Sequence, residues 1–202
     1  MKNNVLNKRN FAEDASKLPN SVWVKTAPSV IETHSLEEDI STEVVIIGAG
    51  YTGLSAALHL APDISPVVIE ANEVGYGASG RNNGLVIPTL SKADPEEIIR
   101  IFGQEKGEQT IALIRDSASL VFNLIRKHNM EKAGEQTGWI QPAHSPGRMK
   151  LIEKRVTEWS KRGLKADLLD KEQLEGLVGS SAWFGGWIAH DGGTIHPMAY
   201  VR

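Results

Sequence analysis

The chain has 202 residues, 41% of them hydrophobic, and a formal net charge of −3. That length can bury one substantial core, one domain and part of another, while mild acidity without a basic block argues against a nucleic-acid surface. No cysteine is present, which excludes disulfides, thiolate catalysis, iron–sulfur clusters and cysteinyl-flavin links within the chain. The charged first ten residues are not followed by an apolar core, so they are no secretory signal, and no apolar run reaches the length of a membrane span. A cytoplasmic protein is the expectation.

Residues 1–40 are polar and irregular, with Pro19, Trp23 and Pro28 scattered through them, and read as a leading arm, disordered or laid over the surface. The segment 41–93 carries the most informative pattern. Val44-Val45-Ile46-Ile47 is an apolar strand, Gly48-Ala49-Gly50-Tyr51-Thr52-Gly53 a glycine turn opening a small-residue helix, and Val67-Val68-Ile69 a second strand ended by Glu70. Each part has a task in holding a dinucleotide. Gly48 lets the chain turn sharply, Gly50 removes the side chain that would block a pyrophosphate, and Gly53 allows tight helix–strand packing. Helix amides beginning near Tyr51 point at the phosphates together with the helix dipole. Glu70 can accept hydrogen bonds from an adenosine ribose.

From Asp94 to residue 134 the pattern is helical. Asp94-Pro95-Glu96-Glu97 is a helix start with Asp94 as N-cap, and Ile111, Ile114, Ala118, Val121 and Ile125 form one apolar face. Gly103 and Gly107 are expected to break this region into two helices. Over 135–190, Thr137 to Gln141 reads as a strand ended by Pro142. Ser145-Pro146 opens a helix whose Met149, Ile152, Val156 and Trp159 make a buried stripe before Gly163. Asp170 caps a short helix with Leu174 and Leu177, and Trp183 to His190 reads as a strand pair or a kinked strand, with Gly185-Gly186 marking a bulge or a close backbone approach.

Three separated stretches carry a resemblance. Gly48 to Ala61, then Val68-Ile69-Glu70-Ala71, then Gly75-Tyr76-Gly77-Ala78-Ser79-Gly80-Arg81-Asn82 together resemble the FAD-dependent D-amino-acid oxidase superfamily, nearest to its gamma-glutamylputrescine oxidase-like branch. Asp191-Gly192-Gly193-Thr194-Ile195-His196-Pro197 looks like that branch's return into the FAD domain, over 191–202. The resemblance covers roughly residues 40–202. It implies an α/β fold: an incomplete Rossmann-type FAD/NAD(P)-binding domain with part of an α+β substrate domain over 135–190.

The resemblance also implies roles. Gly48, Gly50 and Gly53, with Tyr51 and Thr52, would cradle the FAD pyrophosphate, and Glu70 beside Ala71 would hold the ribose of the AMP half. Ser79, Arg81 and Asn82 would lie along the pyrophosphate and ribityl chain, in a loop continuing through Asn83 to Gly84. Arg81 suits phosphate oxygens through its fixed parallel donors. The branch usually shows a second glycine where Asn83 stands, so either a backbone contact with the flavin is altered there or a side-chain amide is offered. An NAD(P) site could use the first half of this motif, but Glu70 would repel a 2′-phosphate, and the Gly77 to Gly84 loop favours FAD by resemblance.

The implied chemistry is the flavin's: hydride transfer from the carbon next to the nitrogen of a small amine or amino acid, giving an imine that hydrolyses, with O2 or another electron acceptor reoxidising the flavin. No Ser/His/Asp set and no metal spacing is evident, and no catalytic residue is assigned. His59 reads as structural and His196 as a helix start, while Trp139, Trp183 and Trp187 suit a sheet over a cavity or ordinary core packing. His196 to Arg202 begin a helix without a cap or closing strand, so an N-terminal fragment, inactive by itself, is expected. A non-catalytic nucleotide-binding remnant and an NAD-dependent dehydrogenase stay open as alternatives.

Overall fold

The computed structural model describes residues 18–29, 32–130 and 132–202, so the first 17 residues of the expected arm lie outside the described residues. The chain divides into two compact units. One holds the chain up to Asn83 together with His196–Arg202, and the other is Gly84–Ile195. Residues 84–93, read from sequence with the nucleotide unit, therefore fall in the second unit, as do residues 191–195 of the expected return.

In the first unit, α1 (Val22–Thr26) is a helical turn within the stretch that reads as irregular. Ser21 starts it, its Oγ accepting from the Val24 amide at 3.3 Å. A five-residue helix has little stability of its own, and this one is fastened by tertiary contacts. Trp23 meets His196 edge-on with centroids 5.0 Å apart, and Arg202 donates to the Pro28 carbonyl at 2.7 Å. β1 (Val45–Ile47) and β2 (Val67–Ile69) pair in parallel, Val45 opposite Val67 and Ile47 opposite Ile69. The crossover that a parallel pair requires is α2 (Tyr51–Leu60). Parallel strands are ordinarily covered on both faces, yet Ile47 is 89% exposed and Val45 50%. α7 (Pro197–Val201) starts at His196, whose Nδ1 accepts from the Ala199 amide at 3.0 Å, the helix-start role read from sequence. Met198 and Val201 pack so closely on Gly75 and Gly80 that a Cβ at either glycine would overlap them.

The second unit has two antiparallel sheets. β3 (Leu85–Val86) and β4 (Gly134–Glu135) flank β8 (Gly193–Ile195), and β5 (Trp139–Pro142) and β6 (Ala166–Leu169) flank β7 (Gly186–Ala189). Four helices accompany them: α3 (Pro95–Phe102), α4 (Gln104–Lys127), α5 (Pro146–Ser160) and α6 (Lys171–Val178). The core gathers Ile98, Ile111, Ile152, Val156, Trp159, Leu164 and Trp187. Trp139 meets Trp187 edge-on at 5.5 Å, so these two tryptophans serve packing.

Local rules hold at several ends. Ser145 Oγ accepts from the Arg148 amide, and Asp170 forms a capping box with Gln173. Elsewhere tertiary partners override them. Asp94 starts α3 without a side-chain cap bond, because its carboxylate accepts from Arg155 Nε at 2.7 Å. Gly103, at φ +77°, ends α3, but Gly107 lies inside α4 and breaks nothing. A Cβ there would come within 2.8 Å of Ile99 Cα, so this glycine lets α4 press against α3. Phe122 is buried in the α4 face where Val121 was expected, and Pro142 pairs within β5 opposite Gly186 rather than ending the strand before it. Trp183 to His190 contains the single strand β7, with no strand pair, and Gly185 takes φ +121° just before it.

Two residues of α4 test the core. Ile111 is 1% exposed and Leu113 is 73% exposed. Ile111→Ala should destabilise the chain by about 2–5 kcal/mol in urea unfolding, while Leu113→Ala should stay within about 0.5 kcal/mol of the parent.

Candidate functional site

The glycine turn is built by backbone conformation and held by a carboxylate. Gly48 leaves β1 at φ +102°, where glycine has no steric penalty. Its amide donates to the Ile69 carbonyl at 2.7 Å, joining the turn to the end of β2. The Ala49 amide donates to Glu70 Oε2 at 2.8 Å, and the Asn72 amide to Glu70 Oε1 at 3.1 Å. Glu70 thus clamps the turns that follow both strands, a structural task in addition to the ribose contact read from sequence. A carboxylate offers about four lone-pair positions, so each oxygen keeps capacity for a further donor.

α2 begins against this turn. Gly50 occupies the N-cap position in an extended conformation, with no side chain to cap the helix. The Tyr51 amide instead donates to Ser79 Oγ at 2.9 Å, so the cap comes from a loop 28 residues away. A Cβ at Gly50 would stand 3.0 Å from that oxygen. At Gly53 a Cβ would overlap the Gly48 carbonyl oxygen and approach Ile46 Cγ2 at 3.1 Å, so α2 packs on β1 only with glycine there. First-turn amides have no intrahelical acceptor, and with the helix dipole they form an anion-binding position. Thr52 is exposed on this first turn.

The loop residues converge on the same helix. Ser79 sits in a 3-10 turn, Ala78–Gly80. Asn82 Nδ2 donates to the carbonyls of Ser79 at 2.9 Å and Ala78 at 3.2 Å, and to Tyr51 Oη at 3.2 Å. Tyr51 Oη donates to the Pro197 carbonyl at 3.3 Å, and its ring meets Tyr200 edge-on at 5.4 Å. Burial pushes the Tyr51 hydroxyl up from its ordinary value, with the Asn82 bond drawing it partly back, and burial also raises Tyr200. Arg81 lies over the Tyr76 ring, its guanidinium carbon 4.3 Å from the centroid. Asn83 is exposed. Gly84, at φ +73°, is the first residue of the second unit.

A cavity of about 640 Å³ opens beside Glu70 and Ala71, lined by Leu54 and β2 and by His34, Leu36 and Ile40 of the arm. Sequence reasoning assigned nothing to these arm residues. Leu36 and Ile40 are two apolar side chains in a polar stretch, and their spacing matches no ligand motif. His59 bonds the Ser55 carbonyl at 2.7 Å on an exposed helix face, and His190 pairs with Asp167. Among the described residues no His, Asp and Glu cluster is arranged for a metal, and no helix is long and apolar enough to cross a membrane.

Comparison with known proteins agrees with this geometry. The family model "FAD dependent oxidoreductase" (DAO) matches residues 43–202. Gamma-glutamylputrescine oxidoreductase of Escherichia coli (strain K12) is 29% identical over 180 residues, 88% of this chain and 42% of that protein. The fold is similar to L-amino acid deaminase from Proteus myxofaciens, with a TM-score of 0.70 and 20% identity over 87% of this chain and 38% of that one. It is also similar to glycine oxidase from Geobacillus kaustophilus, with a TM-score of 0.59 and 19% identity over 79% and 42% of the two chains. This chain therefore spans about two fifths of the length of these relatives.

Ser79→Ala should cost about 1 kcal/mol in urea unfolding, since it removes the acceptor of the Tyr51 amide. Tyr51 and Tyr200 each contribute a loss of stability at alkaline pH. Because folding raises their pKa values, the unfolded chain ionises first, so their contribution is complete below the ordinary tyrosine range and lost as the pH rises through it. Ultraviolet titration of tyrosinate should show two groups ionising later in the native than in the unfolded chain, and a native titration identical to the unfolded one would contradict this.

Proposed function

The chain belongs to the DAO family of FAD-dependent oxidoreductases, and from that premise we propose that its first unit holds the adenine-nucleotide half of FAD, in the service of oxidising a C–N bond of a small amine or amino acid. The observation that carries this reading is the start of α2. A helix N-terminus without a local cap, bare of side chain at Gly50, takes a hydroxyl from the loop at Ser79, which two residues on carries the Arg81 guanidinium over the Tyr76 ring. The residues fit the cofactor. Gly48, Gly50 and Gly53 allow a pyrophosphate to approach the backbone, and the amides of Tyr51, Thr52 and Gly53 oppose its charge. The Ser79 hydroxyl already marks an acceptor position on the Tyr51 amide. Arg81 offers fixed donors to phosphate oxygens. Glu70 accepts from ribose hydroxyls beside Ala71, and Asn82, Asn83 and Gly84 continue along the cofactor. When bound, the flavin accepts a hydride equivalent from the carbon next to the substrate nitrogen.

The substrate class follows from relatives named for gamma-glutamylputrescine, L-amino acids and glycine. Reoxidation by O2 or another acceptor belongs to the same proposal. A nicotinamide cofactor is set aside, because the family is FAD-dependent.

The test is titration of the purified chain with FAD, followed by flavin fluorescence and thermal melting. FAD should bind and raise the melting temperature, with NAD giving no comparable shift. Gly50→Val should weaken binding at least about tenfold, the equivalent of roughly 1.4 kcal/mol. Glu70→Ala should weaken binding and also destabilise the chain by about 1–3 kcal/mol, since two amides lose their acceptor. Stabilisation by NAD and not by FAD would overturn the reading.

A further inference from the structure

We propose that the segment 33–40 of the leading arm forms the outer wall of the adenine subsite, with Leu36 and Ile40 covering a face of the adenine ring. This rests on the FAD reading above and adds to it a set of residues outside the glycine motif. The cavity beside Glu70 is the basis. Its volume of about 640 Å³ falls within the range of small-molecule sites, roughly 300–1,000 Å³. Its lining combines Leu54, the β2 strand, Glu70 and Ala71 with the arm residues Leu36 and Ile40.

Three features assign the occupant. Leu36 is 59% exposed and Ile40 48% exposed although both line the cavity, so a flat apolar ring between them and Leu54 would remove that surface from water. Glu70 keeps acceptor capacity on both carboxylate oxygens at the cavity edge, where ribose hydroxyls would donate. The start of α2, where a pyrophosphate would sit, leads from the Ala49 that lines the same cavity. Base, ribose and pyrophosphate are thereby placed in covalent order.

The wall is tied at both ends. Before it, the Pro28 carbonyl accepts from Arg202 at 2.7 Å. Thr26 Oγ, which gives its own proton to the Val22 carbonyl, lies 2.9 Å from His196 Nε2. After it, Thr42 Oγ donates to the Ser65 carbonyl at 3.1 Å, in the connection that precedes β2. A segment held at both ends needs little further ordering to cover a ligand, which favours affinity.

ADP is the probe, because it carries the base, ribose and pyrophosphate without the flavin. In calorimetry on the full chain, the double variant L36S/I40S should bind ADP and FAD about tenfold more weakly than the parent, the scale expected for two partly buried apolar side chains. ADP should also slow amide hydrogen exchange at residues 33–40 of the unmutated chain, a readout that holds even if the variant folds poorly. If G50V abolishes ADP binding while L36S/I40S leaves it unchanged and the arm gains no protection, the wall is overturned and the FAD reading stands. If the unmutated chain binds neither ADP nor FAD, both are overturned.

Discussion

The Glu70 carboxylate takes the Ala49 amide on one oxygen and the Asn72 amide on the other, and through these two bonds one side chain fastens the turn after β1 to the turn after β2. Hydrogen bonds to an ionised acceptor are roughly twice as strong as neutral ones. Here they act where the backbone is least able to satisfy itself, at the point where two short parallel strands end. The positive φ of Gly48 and the close seat of Gly53 on its carbonyl follow from the same closure. Once that turn is set, the direction of α2 is set, and with it the place where a negative charge is stabilised. The loop around Ser79 and Asn82 then needs only to reach the helix end, which it does through a hydroxyl and an amide rather than through apolar packing.

The second unit is held differently. Its centre is a continuous apolar cluster, and a buried guanidinium, that of Arg155, bonds Asp94 and the Ser91 carbonyl. A buried guanidinium left without partners is strongly unfavourable, so Asp94 serves that charge and leaves its own helix uncapped. Gly107 shows the same priority of packing over local preference, since a residue of poor helix propensity is kept inside α4 because Ile99 lies against it.

These cases mark what could be read from sequence and what could not. The βαβ unit was legible because every part of it is local: a short apolar run, three glycines at fixed spacing, a small-residue helix, a second run and an acid. The helix cap at Asp170 was legible for the same reason. The partners of Asp94, Gly107 and Ser79 lie 61, 8 and 28 positions away, and no pattern within a window announces them. The two-residue strands β3 and β4 were missed because they are too short to show a period and exist only by pairing with β8. The arm reads as irregular because the helical turn among its described residues, Val22–Thr26, is fastened by His196 and Arg202, far along the sequence. The cavity wall at Leu36 and Ile40 had no signal at all, being a matter of where the arm is tied.

The second unit has one further property. Its first residue, Gly84, accepts at its carbonyl from the amide of its last, Ile195, at 2.7 Å, and the strands that carry these ends pair side by side. The whole stretch between them is therefore a loop whose two ends are already closed, inserted into the polypeptide of the first unit at a single doorway. Closely spaced termini are what make domain insertion tolerable. A fold of this kind can exchange or remodel the inserted body, with whatever recognition it carries, while the glycine turn and its carboxylate clamp stay untouched. In such an architecture, diversification is modular by geometry: the part that carries the glycine turn and the part free to vary join at two points of the chain one hydrogen bond apart.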